Sequence, residues 1–174
     1  IADPMLPSYT KKAETLASPS GYARVRLELA PYPMQAEVLD ALWSFGARVS
    51  LRAANEVGKT SVIAAAAVLW HLEMYPRGRV VSTAGVWRQV TNQLVPALKR
   101  HRHRYPGWTF GDHAIRCGDT ERYIGFSTSD AGRFEGFHGT DTEPLLIIVD
   151  EAKSVADDIF EAVDRCNPQR LLLL

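Results

Sequence analysis

Two apolar stretches without a polar face stand out in this chain. Val62–Trp70 is Ala-rich and apolar on every side, which predicts a buried helix over Val62–Tyr75. Leu145–Val149 is a continuous apolar run, β-branched toward its end, which predicts a central strand covered on both faces. Around them, Ala47–Leu51 and Arg79–Thr83 read as strands and Met34–Phe45 as a helix, with Leu39, Leu42, Trp43 and Phe45 inward and Gly46 as its stop. Trp87–Arg104 predicts a second amphipathic helix, with Val90, Leu94, Val95 and Leu98 inward and a kink at Pro96. Tyr22–Leu29 is a short apolar patch, Pro106–Cys117 reads as irregular chain, and Arg122–Ser127 as an edge or antiparallel strand. Ala152–Val163 leads into a helix and Arg170–Leu174 reads as a last strand. Strands alternating with helices at this spacing predict an α/β fold with a mainly parallel central sheet flanked by helices. Residues 1–21, with prolines, Ser and Thr and no period, read as a flexible N-terminal arm, leaving 22–174 as one domain.

Composition narrows the picture less than pattern does. Twenty basic and twenty acidic residues cancel, so net charge gives no general attraction to nucleic acid. Cys117 and Cys166 lack a Cys-x-x-Cys partner, and His71, His113 and His138 are isolated. That excludes a disulfide scaffold, suits a reduced interior compartment and predicts no zinc cluster. Ile1–Pro4 does not open a signal peptide, and no apolar run is long enough for a membrane span. The apolar tail Leu171–Leu174 stops without a turn signal, which predicts truncation of a longer domain.

The candidate chemistry begins between the first strand and the buried helix. Val57-Gly58-Lys59-Thr60 has the end of a phosphate-binding loop, although the first glycine of G-x-x-x-x-G-K-[ST] is replaced by Ala53. Strand, loop and helix in this order aim the helix's unpaired N–H groups at a phosphate. Lys59 then reaches the β/γ-phosphates of ATP and the Thr60 hydroxyl ligates Mg²⁺. About ninety residues later Asp150-Glu151 ends the Leu145–Val149 strand, where open α/β sheets bind ligands. Asp150 is the expected metal partner and Glu151 the residue that orients the attacking water. The same two acids also suit the first turn of a following helix.

Three further features carry two readings each. Gln35 is an exposed helical residue or, beside an ATP site, a reader of the adenine N6/N7 edge. Lys99–Arg104 is a solvated basic face or a local patch for a polyanion. Asp130–Thr142, with Gly132, Gly136, Gly139, Phe134 and Phe137, is a loop pinned by aromatics or a segment that responds to nucleotide or polymer.

Over about Pro31 to Leu174 the chain resembles the ATPase domain of the large terminase subunit of tailed bacteriophages. Pro31-Tyr32-Pro33-Met34-Gln35 resembles that family's adenine motif, and Asn55-Glu56-Val57-Gly58-Lys59-Thr60 its variant Walker A loop. Val80–Thr83 with Arg88-Gln89 resembles motif Ia, and Phe134–Gly139 ahead of Ile148-Val149-Asp150-Glu151-Ala152 is the most particular match. The resemblance implies a P-loop NTPase of the RecA/helicase-like ASCE type. It implies Mg²⁺-dependent ATP hydrolysis that drives double-stranded DNA into a procapsid in the host cytoplasm. Lys59, Asp150 and Glu151 are then catalytic. Gln35, Asn55, Glu56, Val57, Gly58, Lys59, Thr60 and Ser61 bind ATP, and Thr60 and Asp150 hold Mg²⁺. Implied partners are DNA, the portal protein, the small terminase subunit and copies of the chain in a ring, with no membrane. The chain departs from the family in lacking the loop arginine, where Asn55 stands. Arg52 lies on the strand side of the loop, and Arg133 is a candidate for a neighbour's site. The coupling motif and the nuclease domain are also absent. A helicase-like nucleic-acid-stimulated ATPase and a nucleotide-dependent assembly module with little turnover are the alternatives.

Overall fold

The computed structural model describes residues 17–53, 57–85, 88, 90–127 and 131–174. Seven strands form one sheet: β1 (Ala47–Ser50), β2 (Arg79–Ala84), β3 (Trp108–Phe110), β4 (Ala114–Cys117), β5 (Thr120–Ser127), β6 (Leu145–Asp150) and β7 (Arg170–Leu173). Their spatial order is β1-β7-β6-β2-β5-β4-β3. The run from β1 to β5 is parallel, and β4 and β3 add an antiparallel edge. The sheet is therefore mainly parallel, as the alternation of elements predicts.

β6 shows why an unbroken apolar run belongs at the centre. Successive side chains of a strand point to opposite faces. Leu146 and Ile148 join the core that contains Val68, Leu69 and Leu72, whereas Leu145, Ile147 and Val149 join the core with Ile159, Ala162 and Val163. The first face is covered by α1 (Pro19–Val25), α2 (Pro33–Ala41) and α3 (Ala65–Met74), and the second by α5 (Asp157–Arg165). α3 is buried from Ala65 to Leu72 and packs against α1, while α2 packs against the Lys59–Ala64 turn that leads into α3.

Several local expectations change. Residues 19–21 belong to α1, whose Ser18 hydroxyl caps Gly21 N–H at 3.0 Å. The Tyr22 hydroxyl within that helix bonds the Tyr105 hydroxyl at 2.6 Å and the Glu73 carboxylate. α2 ends at Ala41, and Trp43 and Phe45 are exposed on the following turn rather than inward. The Trp87–Arg104 prediction resolves into a π-helical Val90–Leu94, then α4 (Val95–Lys99), then a 3-10 turn Arg102–Arg104. Pro96 falls in the first turn of α4, just after the π-helical turn, so it marks a change of winding. Pro106–Cys117 holds β3 and β4, and β5 is interior, paired parallel to β2 and antiparallel to β4. Short strands with Gly and charged residues between them carry little period to read.

Phe134 is buried, with its ring centroid 5.0 Å from that of Phe126, and Phe137 stacks on Phe126 at 6.2 Å. Gly139 N–H donates to Cys166 O at 2.8 Å, and a Cβ on Gly139 would stand 2.6 Å from Asn167 O. The described part of the Asp130–Thr142 segment is thus pinned by its aromatics against β5 and α5. Among the described residues no helix is long and apolar enough to cross a membrane.

Candidate active site

The loop after β1 and the acids after β6 come from strands that are not neighbours, because β7 lies between them. β7 pairs parallel with both, and Leu174 N–H continues the ladder to Val149 O at 3.0 Å. Both motifs consequently leave the sheet at its carboxyl edge, the position an open α/β sheet uses for ligands.

Gly58 turns the loop into the helix at φ +76°, a left-handed conformation that glycine adopts freely. A Cβ there would stand 2.7 Å from Gln35 Nε2, so the space is closed as well. Lys59–Ala64 winds as π-helix before α3, with Gly58 O accepting from Val62 N–H at 2.9 Å and Ile63 N–H at 3.2 Å. This leaves the N–H groups at the start of the turn without helical acceptors.

Lys59 Nζ donates to Ala53 O across the loop at 3.3 Å. The Thr60 hydroxyl donates to Asp150 Oδ2 at 2.9 Å, and Glu151 N–H donates to Asp150 Oδ1 at 3.0 Å. Asp150 is only 8% exposed. Burial raises its carboxyl above the usual range, against the bonds from Thr60 and Glu151 N–H that favour the charged form; the Glu151 charge adds to the rise and Lys59 opposes it. Glu151 sits at φ +52°, uncommon for a residue with a side chain. Its Oε2 lies 3.6 Å from Lys153 Nζ, a largely solvated pair of small energetic weight.

Two cavities meet at Lys59 and Glu151. One, of about 520 Å³, is bounded by Gly58–Ser61, Asp150, Glu151 and the 92–100 helix, including Asn92, Gln93 and Arg100. The other, of about 480 Å³, is bounded by Arg52, Ala53, Lys59, Glu151, Lys153 and the end of β7. Lys59, Thr60, Ser61, Asp150 and Glu151 therefore come together around one opening. The Phe134–Gly139 segment borders separate cavities that share no residue with it.

Gln35 sits elsewhere than an exposed base reader would. It is 2% exposed; its Oε1 accepts from Tyr32 N–H at 2.8 Å and its Nε2 donates to Val57 O at 2.6 Å. Both ends of the carboxamide are committed to holding the loop against α2. Asn55 and Glu56 lie outside the described residues, as does Gln89, while Arg88 is exposed.

The donor set around Thr60 and Asp150 fits Mg²⁺. This ion takes one or two protein oxygens and completes its shell with water and phosphate. Among the described residues there is no cluster of three His, Cys, Asp or Glu for a metal held by protein alone.

Sequence reasoning missed the buried cation at the opposite end of β7. Arg170 is fully buried, donates to Leu42 O, to Trp43 O at 2.7 Å and to Tyr75 Oη at 2.7 Å, and lies beneath Phe45, Trp70 and Tyr75. It thereby joins α2's end, α3's end and the strand between the two motifs. The only sequence signal was a lone Arg opening a Leu-rich strand. The 99–104 run also divides: Lys99 pairs with Asp112 at 2.9 Å and Arg104 with Glu28 at 2.7 Å, while Arg100 borders the Lys59 cavity.

No protein-family model matches the sequence, and no curated protein matches it. Among solved structures, the large terminase ATPase domain of Thermus phage P74-26 is similar, with a TM-score of 0.60 at 15% identity, over 86% of this chain and 66% of that one. The same domain carrying an arginine-to-alanine substitution is similar with a TM-score of 0.58 at 16% identity, over 86% and 67%. The chain spans about two thirds of the length of these domains. With its central mainly parallel sheet, its flanking helices and a strand between the two motif strands, the chain shares the fold of that phage large-terminase ATPase domain.

Proposed function

We propose that this chain is a Mg²⁺-dependent ATPase module that powers the packaging of double-stranded viral DNA into a procapsid. The observation that carries the reading is the junction of Thr60 Oγ1 and Asp150 Oδ2 at 2.9 Å, which joins the phosphate loop to the acidic strand end across ninety residues.

In this reading the N–H groups of Gly58–Ser61 receive phosphate oxygens, with Val57 and the neighbouring Asn55 and Glu56 completing the loop. Lys59 exchanges Ala53 O for an oxygen between the β- and γ-phosphates. Thr60 and Asp150 would hold Mg²⁺, which when bound neutralises charge shared by the β- and γ-phosphates. Glu151 orients a water and accepts its proton as the water oxygen bonds to the γ-phosphorus. The bond from that phosphorus to the β–γ bridging oxygen breaks in line, leaving ADP and phosphate. Gln35 acts on nucleotide through the loop carbonyl of Val57.

The family resemblance supplies the partners: duplex DNA, the portal protein, the small terminase subunit and a ring of copies at the procapsid in the host cytoplasm. A neutral chain offers weak attraction to DNA by itself, so several weak patches in a ring supply affinity through effective concentration. Calorimetry with Mg·ATP tests the core of the proposal. Lys59→Ala should weaken binding at least about tenfold, the loss of one charge-assisted hydrogen bond, with the thermal transition preserved. Equal affinity in wild type and Lys59→Ala would overturn it.

A further inference from the structure

Among the described residues, Arg100 and Arg102 are the arginines of the 99–104 run whose side chains make no ion pair, and of the two Arg100 borders the Lys59 cavity. Its neighbours are anchored outward, Lys99 on Asp112 and Arg104 on Glu28. Val95, Ala97 and Leu98 are buried, which fixes the rotation of α4. Arg100 follows directly at the helix end, exposed, on the wall that faces Gly58–Ser61, Asp150 and Glu151. Its backbone N–H closes the helix on Pro96 O at 3.2 Å, while its guanidinium makes no hydrogen bond or ion pair among the described residues. An unpaired guanidinium beside a phosphate loop matches a phosphoryl group, which it can grip with two parallel N–H donors.

We propose that Arg100 contacts the terminal phosphate of a nucleoside triphosphate in the Lys59 cavity, and so makes the site prefer a triphosphate to a diphosphate. This rests on the nucleotide reading above. The N–H groups of Gly58–Ser61 mark where the inner phosphates sit, at the loop-to-helix turn. Arg100 lines the same cavity from the end of α4, the side assigned here to the third phosphate. The contact also gives α4 a reason to move when that phosphate leaves, because Arg100 ends the helix.

The test is calorimetric titration of wild type, Arg100→Ala and Arg100→Lys with Mg²⁺ and either a non-hydrolysable ATP analogue or ADP. The expected result is a loss of roughly tenfold or more in triphosphate affinity for Arg100→Ala, with ADP affinity within about twofold of wild type. Arg100→Lys should recover part of the loss, since it restores charge but not the planar fork. Equal loss for both nucleotides, or none for either, would overturn the terminal-phosphate role while leaving the nucleotide site standing. Wild type that binds neither nucleotide would overturn both readings together. Arg100 is exposed, so its variants should keep the wild-type unfolding transition, and a lowered midpoint for Arg100→Ala would itself argue for a structural role.

Discussion

Replacing Gln35 by Ala separates a loop clamp from a base reader. The buried carboxamide makes two neutral hydrogen bonds, from Tyr32 N–H at 2.8 Å and to Val57 O at 2.6 Å. Each contributes about 1 kcal/mol net. Tyr32 is 71% exposed, so water can replace the first partner. Val57 is half-buried and its carbonyl loses a donor at the tight turn before Gly58, adding up to about 1 kcal/mol. Removing a buried methylene adds about 1 kcal/mol more. The expected loss is about 2–4 kcal/mol, against about 0.5 kcal/mol or less for an exposed residue. Urea unfolding followed by tryptophan fluorescence measures it: with a slope of about 2 kcal/mol/M, the midpoint should fall by about 1–2 M. ATP and GTP affinity should fall together, because the loop rather than the base is disturbed. A midpoint shift below about 0.25 M combined with lost discrimination between ATP and GTP would refute the clamp and restore the adenine reading.

Glu151→Gln should leave Mg·ATP bound while slowing turnover by about 100-fold or more, as general-base catalysis is removed; unchanged turnover in a steady-state phosphate-release assay would remove Glu151 from the reaction. Asp150→Asn should reduce the Mg²⁺ dependence of ATP binding, and an unaltered dependence in a magnesium titration would count against it as a metal partner. His71 is buried with Nε2 against Pro144 O at 2.9 Å, and burial pushes its pKa from 6.5 down to about 3. The folded state therefore resists a proton that the unfolded chain takes up. The stability contribution is complete above pH 6.5 and is lost as pH falls toward 3, by about 2 kcal/mol at pH 5. Denaturation midpoints at pH 7 and pH 5 should show that difference in wild type and less in His71→Gln; parallel behaviour would assign the acid sensitivity elsewhere.

The sequence alone determined those features in which one residue type answers one local demand. The apolar run Leu145–Val149 can lie only where both faces are covered, and the structure buries all of it. The Ala-rich helix, the glycine turn before Lys59 and the mainly parallel sheet were legible for the same reason. Tertiary structure decided whatever depends on which distant groups meet. Nothing in the spacing of Thr60 and Asp150 fixes a 2.9 Å contact; β7, from the end of the chain, inserts between their strands and sets it. Gln35 has the same side chain whether it faces solvent, a base or the loop, and only the approach of α2 to Val57 selects among them. The basic run 99–104 is six neighbours in sequence, yet Asp112, Glu28 and the Lys59 cavity draw its members apart. Arg170 reads as a surface cation until two helix ends and three rings close over it. Local pattern reports how much of a residue must be hidden, whereas the partner that hides it belongs to the assembled fold.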